Sequence, residues 1–197
     1  MEIEQLADAC GGLAWISERL FALQGRLAAD SPDAPPPDAR HNSPRVAPLD
    51  ARVRVLLARS SRRHGQHAQW WRAALPDSPA LKAEDRINPP SSPWADLMDH
   101  LEEAAPVEAV NGLHLVAVPE LVRVLEHVRR QWSSVSDGNA IRIAGWVLAD
   151  VAEEQSEAAG AWTLPPLSSQ DELATLAEAL IDDRREKRWP PLVTLRQ

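Results

Sequence analysis

Two histidines stand three residues apart in the segment 60–71, where apolar residues recur at helical spacing. His64 and His67 fall on one face of such a helix, because each residue turns the chain by about 100°. Imidazoles that converge from a buried helix face can ligate a metal ion, and they can equally be hydrogen-bonded core side chains. The other side chains that would share this site decide between the two interpretations.

Two further residues complete a set of candidate metal ligands. His114 falls on the apolar stripe of a later helix, provided that this helix extends back past Pro119. Glu154 lies at the edge of the stripe on the helix that follows. Three histidines with a water molecule would suit zinc. The candidate metal ligands are therefore His64, His67, His114 and Glu154, and no residue is assigned as catalytic.

A di-iron centre in a helical bundle requires a larger set of carboxylates. It takes one Glu from each of two helices and a Glu-x-x-His motif from each of the other two. The sequence contains no Glu-x-x-His, and the inward polar positions of the first helix are Ser17 and Gln24. Helical face counting places these carboxylates outside the core: Glu18, Glu126, Asp150 and Glu153. We therefore favour the core interpretation, in which the two histidines bond to each other, to Ser60, to Gln155 or to water.

Composition narrows the class of protein. A chain of 197 residues suits one domain with a sizeable core, and its net charge of −8 makes a general nucleic-acid role unfavourable. The single cysteine, Cys10, excludes an internal disulfide and fits a reducing cytoplasm. We find no signal-peptide pattern and no apolar run long enough to span a membrane.

Hydrophobic periodicity predicts an all-α chain. Long helices are expected over about 3–29, 49–75, 112–132 and 140–162, with a proline-rich connection at 31–48. Ser92-Pro93 opens a short inserted helix, and a capping box at 169–172 opens a C-terminal fifth helix. We predict an antiparallel four-helix bundle over 1–165, followed by the fifth helix and a tail over 166–197. That fifth helix could pack on its own bundle or dock on a partner.

Two segments, 17–25 on the first helix and 64–76 on the second, resemble the ferritin-like superfamily, and the run 150–154 adds to the resemblance. The chain looks most like small ferritin-like proteins that lack a complete di-iron motif, and the order of elements agrees over about 3–162. The resemblance implies an up-down helical bundle that is often dimeric. It does not carry over catalytic ligands, because glutamates are missing at the matching positions.

Three hypotheses follow for function. The first is a non-enzymatic cytoplasmic protein that acts through protein contacts, as a homodimer or with another partner, without a cofactor. The alternative is a metal-dependent (iron or zinc) oxidoreductase, hydroxylase or hydrolase that uses His64 and His67. The third is a small-ligand or peptide binder with a tryptophan-lined groove.

The positions of the tryptophans can be predicted separately. We expect Trp71, Trp132 and Trp162 in the core, and Trp15 and Trp70 at a dimer contact or beneath the proline-rich connection.

Overall fold

The computed structural model describes residues 3–29, 49–76, 82–133, 135, 137–162 and 172–186. These residues are helical throughout, apart from short connections, and they contain no strand, so the all-α prediction is confirmed. The predicted connection at 31–48 and the first three residues of the predicted capping box lie outside the described residues. None of the described helices has both the length and the apolarity needed to cross a membrane. The helices are α1 (Ile3–Ala29), α2 (Ala51–Ala74), a 3₁₀ helix (Ala83–Arg86), α3 (Ser92–Glu103), α4 (Pro106–Gly112), α5 (Val118–Gln131), α6 (Gly138–Ala161) and α7 (Glu172–Arg185).

The ends of α2 follow from local chemistry. The Asp50 side chain accepts a hydrogen bond of 2.7 Å from the backbone N–H of Arg52, which caps the first turn. The helix stops before Pro76, where Leu75 has already taken an extended conformation. For α3 the predicted start is one residue late, because Ser91 occupies the N-cap position and Ser92 is already helical.

The third predicted long helix begins six residues earlier than expected, at Pro106. It runs through a π-helical turn at Leu113–Ala117 before continuing as α5. Pro119 has no N–H to donate, and its ring conflicts with the carbonyl four residues before it, at Leu115 inside this turn. The helix therefore continues past Pro119 with a local widening of one turn.

Side-chain contacts fix the relative directions of three helices. Three contacts join α1 and α2: Arg54 donates to the Ala28 carbonyl, Ser61 donates to the Phe21 carbonyl, and Arg72 pairs with Glu18. The residue numbers on α1 decrease as those on α2 increase, so the two helices are antiparallel. The same holds between α2 and α6, where the pairs are Arg59–Glu157, Arg63–Glu153 and Trp70–Trp146. α5 contacts α6 as well, and a six-residue link at 132–137 joins the two helices.

The core is built around α1. Its leucines at positions 13, 20, 23 and 27 are almost completely buried, and they share one apolar cluster with residues of α2, α3, α5 and α6. The 3₁₀ helix packs closely on α1, because Gly11 leaves room for the backbone carbonyl of Arg86. Helix α7 contacts α3, and its Leu173 and Leu180 are buried, so the C-terminal helix contacts its own chain.

Candidate functional site

The inward orientation predicted for the α2 histidines is what the structure shows. His64 is completely buried and His67 is 1% exposed. Both lie on the face of α2 that also carries Leu57, Ser60 and Trp71. Their rings meet edge to face, with centroids 5.2 Å apart. Two polar rings are thus held in contact inside an apolar helix interface.

Glu154 is the central acid of this region. Its side chain is 1% exposed, which corrects the prediction that it lies at the edge of the α6 stripe. One carboxylate oxygen lies 3.2 Å from Nε2 of His64, and the other accepts a hydrogen bond of 2.8 Å from Nε2 of Gln24. Glu154 falls between Val151 and Ala158 on the buried face of α6, so it points straight at α1 and α2. A buried carboxylate requires such partners, because its desolvation would otherwise be strongly unfavourable.

His67 bonds to a second α6 carboxylate. Its Nε2 lies 2.8 Å from Oδ2 of Asp150, whose side chain is 35% exposed. Asp150 therefore does not point away from the core, as face counting predicts, but closes the cluster at its solvent side. The expected partners Ser60 and Gln155 are replaced by the two acids one helical turn apart on α6. An Nε2–H tautomer of His67 satisfies this bond and leaves Nδ1 as an acceptor.

His114 lies in the π-helical turn and is 6% exposed. It is close enough to the cluster for the charges on Glu154 and His64 to affect its pKa. Burial lowers that pKa, Glu154 opposes the change, and His64 reinforces it. The structure thus brings all four predicted ligands into one region, although no hydrogen bond joins His114 to the other three within the described residues.

The pKa values of the cluster reflect its burial and its internal charges. Burial, followed by the electrostatic effect of the neighbouring His64, lowers the pKa of His67 to about 4, even though Asp150 and Glu154 oppose the change. Burial alone would raise the pKa of Glu154. The hydrogen bond and electrostatic effect of His64, the electrostatic effect of His114 and the Gln24 amide together outweigh burial and lower the pKa of Glu154. Glu154 is therefore an anion at neutral pH, and His67 is neutral.

Several buried atoms of the cluster have no hydrogen-bond partner among the described residues. They are Nδ1 of His64, Nδ1 of His67, Nδ1 of His114 and Oε1 of Gln24. Unpartnered buried polar atoms are uncommon and call for a bridging water or ion. Within the described ranges, however, no three His, Cys, Asp or Glu side chains converge in a geometry that could hold a metal ion.

Aromatic rings continue from the cluster to the surface. The Trp70 ring lies 5.5 Å from that of His67, and the Trp146 ring lies 5.4 Å from that of Trp70. Trp146 is 48% exposed. No role is predicted for Trp146 from the sequence. Its spacing of four residues before Asp150 is the signal that places both on the α6 side facing α2.

Two other features lie outside the cluster. Cys10 is fully buried, and burial followed by the charge of Asp137 raises the pKa of its thiol to about 12, which makes it unreactive at neutral pH. Three of the six arginines of α2 are paired with acids on neighbouring helices: Arg59 with Glu157, Arg63 with Glu153, and Arg72 with Glu18.

Comparison of the chain with family models, with curated proteins and with solved structures finds no match. The geometry of the cluster is therefore the basis for a functional assignment.

Proposed function

We propose that this chain is a ferritin-like, antiparallel four-helix-bundle protein that lacks a complete di-iron site and acts through protein–protein contacts, as a homodimer and without enzymatic activity. The observation that carries the proposal is the bonding of Glu154 within the chain. Both of its carboxylate oxygens have partners in the chain, Gln24 on α1 and His64 on α2. The second carboxylate, Asp150, is bonded to His67. The carboxylate oxygens of α6, which a metal centre would need as ligands, are instead bonded to side chains of α1 and α2.

The antiparallel contacts of α1 with α2 and of α2 with α6 support the bundle part of this proposal, as does the resemblance of segments 17–25 and 64–76. A cytoplasmic location belongs to the same proposal and is supported by the single, buried thiol of Cys10.

Elemental analysis tests the absence of a metal centre. The protein is purified without a histidine tag and without chelators, and iron, manganese and zinc are measured against protein concentration. We expect less than one metal ion per ten chains. Stoichiometric metal of any of these kinds would overturn the proposal.

A second candidate function, a metal-dependent oxidoreductase, hydroxylase or hydrolase, is favoured by one specific observation. The three buried Nδ1 atoms of His64, His67 and His114 have no partner in the described chain, and they share the region of the anionic Glu154. On this alternative, His67→Ala abolishes metal uptake, whereas His127→Ala on α5 retains it. Unchanged uptake in the His67→Ala protein would remove the alternative.

A further inference from the structure

A groove runs along the outer surface between α1 and α2, on the side that does not carry the histidine cluster. Its volume is about 570 Å³. Small residues of α2 form much of its floor, and polar side chains border it. The lining residues are Glu18, Phe21, Ala58, Ser61, Arg62, Gly65, Gln66, Ala68, Gln69 and Arg72. The groove is thus an apolar depression with charged ends on a helix pair that is otherwise well packed.

Phe21, the only phenylalanine of the chain, lies in this groove and is 48% exposed. Its ring rests on α2 at Gly65, where an added Cβ would approach Cδ2 of Phe21 to 3.1 Å. The Ser61 hydroxyl also donates a hydrogen bond of 2.8 Å to the Phe21 carbonyl, which links the backbone of α1 to α2 at this point. One face of an aromatic ring is therefore open to solvent at a fixed position. Aromatic side chains held in this way are the usual anchors of protein interfaces, because little conformational entropy is lost on binding.

The charges around Phe21 are arranged asymmetrically along the groove. Arg62 is exposed and forms no ion pair with the described part of the chain. Ten residues further along α2, Arg72 binds Glu18, which remains 35% exposed. A helix rises 1.5 Å per residue, so about 15 Å separates the two positions. Phe21 and Gly65 lie between them.

We propose that this groove is the interface with a second copy of the chain, related by a two-fold axis that passes near Phe21 and Gly65. The axis reverses the direction of the groove, so Arg62 of one copy faces the partner's Glu18, and the reverse pair forms at the other end. The exposed faces of the two Phe21 rings then meet near the centre. A two-fold interface must be self-complementary, and this groove supplies at one end the cation of Arg62, unpaired within the described chain, and at the other the partly exposed Glu18. In the dimer, Glu18 would lie between Arg72 of its own chain, to which it is already bonded, and the partner's Arg62. The inference deepens the proposed function, on which it rests, by naming the surface and the partner.

The first test measures the dimer dissociation constant by sedimentation velocity over a range of protein concentrations. We expect a dimer for the unchanged protein, and an increase of at least about tenfold in the dissociation constant for Phe21→Glu, with unchanged helicity. Two matched controls place Glu at exposed apolar positions elsewhere, Val135→Glu and Trp146→Glu, and should leave the constant unchanged. Val135 is 94% exposed and Trp146 is 48% exposed.

The second test addresses the charges. Arg62→Glu should weaken the dimer by about tenfold, because it sets two acids against each other at both ends of the groove. Arg52→Glu, at an exposed arginine of α2 that does not line the groove, is the control and should have no effect.

A monomeric unchanged protein overturns the inference, and so does a dimer that Trp146→Glu dissociates while Phe21→Glu does not. The second result leaves the proposed function standing, because a dimer formed through a different surface satisfies it. A monomer, in contrast, also removes the homodimer from the proposed function and leaves only contacts with another protein. Stoichiometric metal, in contrast, overturns the proposed function without altering the prediction for Phe21→Glu.

Discussion

The side chain of Glu154 is a buried anion inside an apolar helix interface, and its environment is arranged to keep it charged. Gln24 donates to one oxygen and His64 lies against the other. Replacing such a network with apolar side chains often costs little, whereas removing one member leaves the others desolvated and unpaired. The network therefore contributes more to the choice of helix register than to net stability.

Glu154→Gln tests this at a single position. The amide has one oxygen in place of the two that face Gln24 and His64, so one of these buried side chains loses its partner and we expect the free energy of unfolding to fall by about 3 kcal/mol. Glu153→Gln is the matched control, because Glu153 is 53% exposed and paired with Arg63 at the surface. Its effect should stay below about 0.5 kcal/mol. Urea unfolding measures both, and equal losses in the two variants would contradict the assigned role.

The histidines make stability depend on pH in a defined direction. Burial lowers the pKa of His67 from an ordinary value of 6.5 to about 4. Between these pH values the unfolded chain binds more protons than the folded chain, so the free energy of unfolding decreases as the pH falls. For His67 alone the decrease is about 3 kcal/mol at most.

Urea unfolding at a series of pH values from 7 to 4 checks this expectation. His67→Gln should show a smaller decrease over that range than the unchanged protein does. The pKa of His114 is also lowered, so His114 still contributes to the decrease in the free energy of unfolding in both proteins. Identical pH profiles would show that folding does not lower the pKa of His67.

The inward histidines could be predicted from sequence because a face is set by the 100° step of one helix. His64, His67, Ser17 and Gln24 are all buried, as face counting indicates. Their partners could not be predicted, since Glu154 and Asp150 reach the histidines only through the register of α6 against α2. A shift of one turn between these helices would remove both contacts and leave every periodicity unchanged.

Among the helices, the bounds that could be predicted are those set by local chemistry. The Asp50 side chain caps the first turn of α2, and Pro76, which cannot continue a helix, follows its last turn. The turn at Leu113–Ala117 depends instead on how backbone carbonyls near Pro119 are accommodated. The early start at Pro106 does carry a local signal, a proline in the first helical turn, although the predicted bounds do not use it. The contact of α7 with α3 likewise depends on Leu173 reaching the gap above Gly112, where an added Cβ would lie 2.8 Å from Cδ2 of Leu173.

The contact between α1 and the 3₁₀ helix gives a prediction at this scale. A methyl group on Gly11 would overlap the backbone carbonyl of Arg86, which cannot rotate away as a side chain could. We expect Gly11→Ala to lower the free energy of unfolding by about 2 kcal/mol.

The control is Gly145→Ala in the middle of α6, where nothing lies within 4 Å of an added Cβ. It should raise stability by about 0.5–1 kcal/mol, because alanine restricts the unfolded chain. A stabilising Gly11→Ala would show that the 3₁₀ helix does not rest on α1.

At the scale of the whole molecule, one apolar cluster includes side chains from α1 to α7. Buried tryptophans report on separate parts of it: Trp71 on α2, Trp94 on α3 and Trp132 at the end of α5. A core shared in this way favours cooperative unfolding.

We therefore expect urea unfolding followed by tryptophan fluorescence and by far-ultraviolet circular dichroism to give coincident transitions with one midpoint. Separate midpoints would show that α7, or the α1–α2 pair, unfolds on its own. Trp71→Phe, which removes one buried indole, should leave the two transitions coincident with each other.

The antiparallel contacts of α2 with α6 also limit how the length of this protein can change in evolution. Each step of three or four residues along α2, from Arg59 to Arg63, His67 and Trp70, is matched by a similar step backwards along α6, from Glu157 to Glu153, Asp150 and Trp146. A one-residue insertion or deletion between these positions would rotate all later side chains by about 100° and unpair them at once. Natural variation in chain length is therefore expected in the link at 132–137 and not within this part of either helix.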